Sequence, residues 1–101
     1  MIFKQIILLI MVMNMNEKGE LRKCIDELED RYDVYVSRSE ITNEFVSYKI
    51  YDRVLKKSDD VCIKFDDIRT KKDAIGYILS YISALCLKCE YERKKEFNKN
   101  G

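Results

Sequence analysis

The sequence predicts an α+β domain in two layers: a helix, a three- or four-stranded antiparallel sheet and a second helix, with an apolar N-terminal segment in front. Three observations carry this expectation. An amphipathic helical pattern covers 17–31, period-2 alternation recurs in three stretches between 33 and 66, and a second helical pattern opens at 74. A chain of 101 residues has room for one hydrophobic core and little else. The expected layout is an apolar segment at 1–15, one α/β domain at 16–92 and a polar C-terminal tail at 93–101.

Residues 6–13 are uninterruptedly apolar, I-I-L-L-I-M-V-M. That is well short of the ~18 residues a membrane span needs, and no small-residue cleavage site follows it. The segment reads as a strand added to the sheet, as an apolar helix docked on the domain, or as the product of an upstream start, with Met13 or Met15 the natural beginning. Its β-branched character favours the strand. Asn16 is the expected N-cap of the first helix, whose apolar positions are Leu21, Ile25, Leu28 and Tyr32, flanked by Cys24. Its other faces carry carboxylates, densest in D-E-L-E-D at 26–30, diluted by Arg22, Lys23 and Arg31. Such a run reads first as a solvated face.

Alternation then predicts strands at 33–37, 44–52 and 60–66. Val34 and Val36, then Val46, Tyr48 and Ile50, then Val61, Ile63 and Phe65 form one apolar face, as in an antiparallel sheet covered on one side. The stretch S-R-S-E-I-T-N at 37–43 reads as a turn, and R-V-L-K-K-S at 53–58 as a loop or a short fourth strand. Thr70 and Asp73 make the T-x-x-D of a capping box opening the last helix. From 74 to 87 no residue is charged, and Ile75, Ile78, Leu79, Ile82, Leu85, Cys86 and Cys89 form a broad apolar stripe. A surface helix normally shows a charged side. This one is polar only from Lys88 onward, where it is expected to fray.

Composition narrows the function. With 47% hydrophobic and 37% charged residues the chain is globular rather than disordered. A net charge of +1 disfavours both an acidic nucleic-acid mimic and a basic coating protein. There is no histidine, so the usual partner of a Ser or Cys nucleophile is missing. Three glycines cannot supply a phosphate-cradling loop. The paired carboxylates Asp59-Asp60 and Asp66-Asp67 are explained by turns. No catalytic residue and no cofactor follow from this, and the reading is non-enzymatic.

Cys86 and Cys89 form a C-x-x-C, yet the second pair of ligands for a zinc site is absent and the motif lies in the apolar stripe. Cys24, Cys62, Cys86 and Cys89 therefore read as reduced thiols in a cytoplasmic protein, with no bound metal.

Two surfaces remain as candidates. Tyr35, Phe45, Lys49, Tyr51 and Lys64 alternate onto the sheet face opposite the helices, which reads as an ordinary exposed face, as one covered by the N-terminal segment, or as one where aromatics among lysines stack bases and meet phosphates. Cys62 shares that face. On the last helix, Gly76, Ser80 and Ser83 make a low strip on which another helix can pack closely, either in a homodimer or in a complex with a target, or which is buried internally against the first helix and the N-terminal segment.

The stretch T-K-K-D-A at 70–74, with A-L-x-L at 84–87, resembles the K-K-x-A helix start and helix-core alanines of double-stranded-RNA-binding domains. That resemblance implies phosphate contacts by Lys71 and Lys72. The chain departs from the family in lacking its glycine-rich approach to the helix and its G-P-x-H loop. The stretch Y-V-S-R-S-E-I-T-N-E-F-V-S-Y at 35–48, with K-K-S-D-D at 56–60, is similar to small phage-encoded α/β proteins of the anti-CRISPR inhibitor type. That resemblance implies a non-enzymatic inhibitor, acting in the cytoplasm of a host bacterium by blocking a protein or ribonucleoprotein complex such as a CRISPR effector. It nominates no individual residue. RNA binding is the alternative.

Overall fold

Leu21, Ile25 and Leu28 fall on one side of helix α1 (Met15–Tyr32), and Leu21 and Ile25 are buried by it. In the computed structural model residues 15–100 are described. The expectations for the apolar run 6–13 therefore lie outside the described residues. Asn16 is not the cap of α1, because the helix already includes Met15. The helix stops where Asp33 turns left-handed, at φ 55°, a conformation that aspartate tolerates and a branched residue resists.

Strands β1 (Val34–Ile41), β2 (Phe45–Asp52) and β3 (Lys57–Lys64) form an antiparallel meander in the order β1-β2-β3. Register sets Val36 beside Ile50, and Val46 beside both Ile41 and Ile63, so the expected apolar face is the buried one. The segment 37–43 is not a turn. β1 runs through it to Ile41, absorbing an extra residue as a bulge between Arg38 and Glu40, after which Glu40 pairs with Ser47 and Ile41 with Val46. Only 42–44 remain as the hairpin loop, where Thr42 Oγ1 accepts the backbone N–H groups of Glu44 and Phe45, each at 3.1 Å.

The segment 53–58 gives no fourth strand among the described residues. Positions 53–56 are the β2–β3 turn and 57–58 open β3. Asp52 closes this turn. Its Oδ1 accepts the N–H groups of Val54 (2.8 Å) and Leu55 (3.1 Å), and its carbonyl accepts that of Lys56, left-handed at φ 57°. Asp59 and Asp60 are consequently strand residues rather than turn residues.

β3 also ends earlier than alternation suggests. Phe65 opens a short helix, α2 (Phe65–Arg69), which turns Phe65 and Ile68 into the core at 1% exposure each and places Asp66 and Asp67 in its first turn. The capping box is resolved differently from its sequence form. Thr70 Oγ1 donates to the Asp67 carbonyl at the end of α2, while Asp73 alone caps α3 (Ala74–Asn100), accepting the Gly76 N–H at 2.8 Å. The 93–101 tail is helical as far as Asn100 rather than frayed. Both long helices lie on one face of the sheet, α1 against β1, α3 against β2 and β3, and the two against each other. The fold is the expected two-layer α+β arrangement, its core centred on Ile50, Ile63, Phe65, Ile68, Ile78 and Ile82.

Candidate functional site

Alternation in β1 and β2 projects Tyr35 and Tyr51 from directly paired positions on the outer sheet face. Their rings stack at 6.4 Å with 20° between planes, and both are exposed. The β2–β3 turn brings the Arg53 guanidinium over the Tyr35 ring at 4.7 Å, where Asp33 also holds it at 3.3 Å. Lys49 follows between Ser37 and Asp60, and at the far end Phe45 pairs with Lys64. All five predicted residues thus share one face, but as an aromatic–arginine cluster at one end and a Phe–Lys pair at the other. Arg53 is an addition that alternation missed, because it belongs to the turn. On this face Tyr35, Lys49, Tyr51 and Lys64 are exposed, Phe45 is half-buried and Ser47 is buried between them.

Lys71 and Lys72 do not join them. They precede α3 in the helical layer, with Lys71 Nζ 4.9 Å over the Tyr77 ring. The N-terminus of α3, the place for a phosphate in the double-stranded-RNA reading, is taken by the carboxylate of Asp73. The nucleic-acid candidates are therefore divided between two layers.

Gly76, Ser80 and Ser83 face away from the sheet. Ser80 is exposed and its hydroxyl donates to the Tyr77 carbonyl at 2.6 Å. Gly76 permits the cap: a Cβ there would collide with the Asp73 carboxylate. The same side of α3 continues through exposed Ala84, Leu87 and Tyr91. Ser83 and Leu79 form one wall of a groove of about 200 Å³ whose other wall is Cys24, Glu27, Leu28 and Arg31 of α1.

The most constrained polar cluster was not foreseen. Arg93, expected in a frayed tail, reaches across α3 to donate from Nε (3.0 Å) and Nη2 (2.7 Å) to Asp52 Oδ1. It also donates from Nη1 to the Tyr32 carbonyl (2.7 Å) and from Nη2 to that of Asp33 (3.0 Å). One side chain thereby satisfies the last carbonyl of α1 and the one after it, and ties the helix end to the sheet. Asp52 is 1% exposed, and its Oδ2 has no partner. Burial pushes the Asp52 carboxyl upward, but hydrogen bonds from Arg93, Leu55 and Val54 and the Arg93 charge outweigh it and hold the group below its ordinary value. More exposed pairs, Lys88–Asp59 at 3.1 Å and Lys57–Glu92 at 2.7 Å, bind β3 to α3 alongside.

The cysteines lie in separate places. Cys86 and Cys89 are buried on the inner side of α3, Cys24 is in the groove, and Cys62 is exposed on the sheet face, its thiol 3.6 Å from Ser47 Oγ. Burial, with a smaller contribution from Cys89, pushes the Cys86 thiol up to about 11, the opposite of what a reactive thiolate needs. Among the described residues no cluster of three or more Cys, Asp or Glu side chains is placed to hold a metal. Elemental analysis of the purified protein is expected to show substoichiometric zinc, unchanged in Cys89→Ser. Cys62 is expected to react with a thiol reagent well before Cys86. One tightly held zinc per chain would overturn this assignment.

No helix among the described residues is long and apolar enough to cross a membrane. No protein-family model, curated protein or solved structure matches the chain.

Proposed function

We propose that this chain is a non-enzymatic binding protein that attaches to a bacterial protein or ribonucleoprotein complex through its outer sheet face and blocks it by occupying that surface. The observation that carries this reading is the Tyr35–Tyr51–Arg53 cluster. Tyrosine and arginine are the residue types that dominate binding energy at protein interfaces, and here they are held on a rigid sheet with an exposed side. Lys49, Asp60 and Glu40 around them supply a mixed-charge rim rather than the one-signed field of a nucleic-acid groove. The similarity of 35–48 and 56–60 to phage-encoded inhibitors names the complexes to try first, CRISPR effectors.

Co-expression with a panel of CRISPR systems should restore plasmid transformation for at least one of them. With that effector purified, Tyr35→Ala combined with Arg53→Ala should weaken binding by ~30-fold or more, since truncating a hot-spot residue costs about 2 kcal/mol or more. Circular dichroism should be unchanged. Gel shifts with duplex RNA and single strands in ~0.15 M salt should show nothing tighter than micromolar. Nanomolar nucleic-acid binding lost on Lys49→Glu and Lys64→Glu would replace this reading with RNA recognition by the same face.

A further inference from the structure

We infer that the free edge of β3 pairs with the same edge of a second copy of this chain, antiparallel about a two-fold axis at Cys62, so that two three-stranded sheets become one. The two edges of the sheet are not alike. On β1 the Val36 N–H is taken by Glu29 Oε2 of α1 at 2.9 Å, a side chain standing where a further strand would bond. On β3 the pairing with β2 decides which groups point outward. The Phe65 N–H donates to the Glu44 carbonyl at 2.9 Å, so the odd-numbered residues of β3 bond to β2. Ser58, Asp60 and Cys62 therefore turn their N–H and C=O groups to the edge, and Lys64 its N–H. Among the described residues no side chain is bonded to these groups, and all four residues are exposed. Such a row is complementary to another extended backbone.

The side chains of the same strand point to a second copy as that backbone. Asp60, Cys62 and Lys64 stand at alternate positions on the outer sheet face, a carboxylate and an ammonium on either side of a neutral thiol. An axis through Cys62 sets Asp60 opposite Lys64 of the second copy and Lys64 opposite its Asp60, giving two ion pairs from one register. On the inner face, half-buried Val61 comes beside Ile63 of the second copy. The neighbouring registers lose this match. With the axis at Val61, Asp60 meets Cys62; at Ile63, Cys62 meets Lys64; at Asp60 or Lys64, like charges oppose each other. The Cys62 register also carries the exposed carboxylates of α2, Asp66 and Asp67, toward the Lys57 end of the second strand.

α3 supplies a second layer to the seam. Lys88 and Glu92 hold one side of this helix over β3 through Asp59 (3.1 Å) and Lys57 (2.7 Å). Leu85 and Tyr81 lie on that same side in the preceding turns. Leu85 is half-buried and Tyr81 is 37% exposed. Two strand residues rise as far as roughly four or five helix residues, which sets these side chains near the levels of Val61 and Ile63. The dimer also places both Tyr35–Tyr51–Arg53 clusters on one face of the joined sheet, where a target with two copies of the recognised surface is held bivalently.

Sedimentation velocity on the full chain from micromolar to millimolar concentration should give a species of twice the 12.1 kDa chain mass. Asp60→Lys alone and Lys64→Asp alone should each weaken that dimer by ~10-fold or more, because each turns two attractive pairs repulsive. The two substitutions together should return it to within ~3-fold of wild type. Within one chain these residues stand ~13 Å apart along the strand, so only a second copy lets one substitution repair the other. Both sites are exposed, and circular dichroism should be unchanged. Residues paired as Cys62 is with its copy have Cα atoms ~5.5 Å apart, within the reach of a disulfide. Added diamide, which takes two electrons and two protons from a pair of thiols, should link the wild-type dimer but not Cys62→Ser, although Cys24 remains. A monomer at every concentration, a dimer indifferent to both single reversals, a loss that the double variant does not regain, or a dimer that Cys62 fails to link would each overturn the assignment. Tyr35→Ala should remain dimeric, so this interface and the sheet-face reading fail separately.

Discussion

Arg93→Ala is expected to cost about 3–5 kcal/mol in a urea unfolding experiment, because removing one member of a buried pair leaves the other charge without compensation. The total stability of a small domain is about 5–15 kcal/mol, so the loss is a large part of the whole. Asp52 is where the penalty falls. It is 1% exposed, its Oδ2 has no partner, and its Oδ1 holds the β2–β3 turn through Val54 and Leu55. Losing the guanidinium also takes its donor from the Tyr32 carbonyl at the end of α1, while the Asp33 carbonyl keeps the Arg53 N–H at 3.3 Å. Asp52→Asn keeps an oxygen for the turn and is expected to cost less, about 1–2 kcal/mol. The double variant should fall well short of the sum of the two.

The pH dependence gives this prediction a second readout. The Asp52 carboxyl is held below its ordinary value in the native chain, so in acid the unfolded chain binds the proton first. The stability contributed by this carboxylate is complete above the unfolded value of about 3.9 and is lost as pH falls through the lower native value. In Arg93→Ala the desolvation remains without the counter-charge, and the Asp52 value moves upward instead. The gap between wild type and variant should therefore be widest at neutral pH and should narrow as Asp52 protonates. A gap independent of pH would assign the effect of Arg93 to packing and to the α1 carbonyls alone.

Only one half of this pair was legible. Asp52 has the same parity as Val46, Tyr48 and Ile50, so alternation turns it toward the helices, whereas Arg93, which follows Cys86 and Cys89 along the inner side of α3, fell in the stretch read as a polar tail. Their meeting was not legible, since 41 residues separate them and periodicity carries no information about long-range partners. The polar composition after Lys88 suggested fraying, but Arg93, Lys88 and Glu92 are tethered by partners in the sheet and in α1, and the helix persists. The outer-face residues were legible for the converse reason: a period of two fixes a side of the sheet without any knowledge of what it meets. Turn residues escaped that logic. Arg53 reaches Tyr35 only because of how the 53–56 turn closes, and the 37–43 stretch looked like a loop because the bulge at Ser39 breaks its alternation.

The second large effect is expected where alternation was carried one step too far. Phe65 continues the parity of Val61 and Ile63, so strand and helix alike bury it. Ile68 separates the two. In a strand ending at Asp66 it would lie in a loop beyond the sheet, whereas in α2 it stands one turn from Phe65 and is buried to 1% exposure with it. Phe65→Ala should then cost about 3–5 kcal/mol and Ile68→Ala about 2–5 kcal/mol, the loss being the transferred apolar surface plus the cavity left behind. Phe97→Ala, at 75% exposure, should change stability by no more than about 0.5 kcal/mol. The comparison isolates position from residue type, since both phenylalanines lose the same atoms. An Ile68→Ala variant as stable as wild type would mean that α2 does not close the core. The support of α3 beneath Ala74 and Ile78 would then have to come from the sheet and α1 alone.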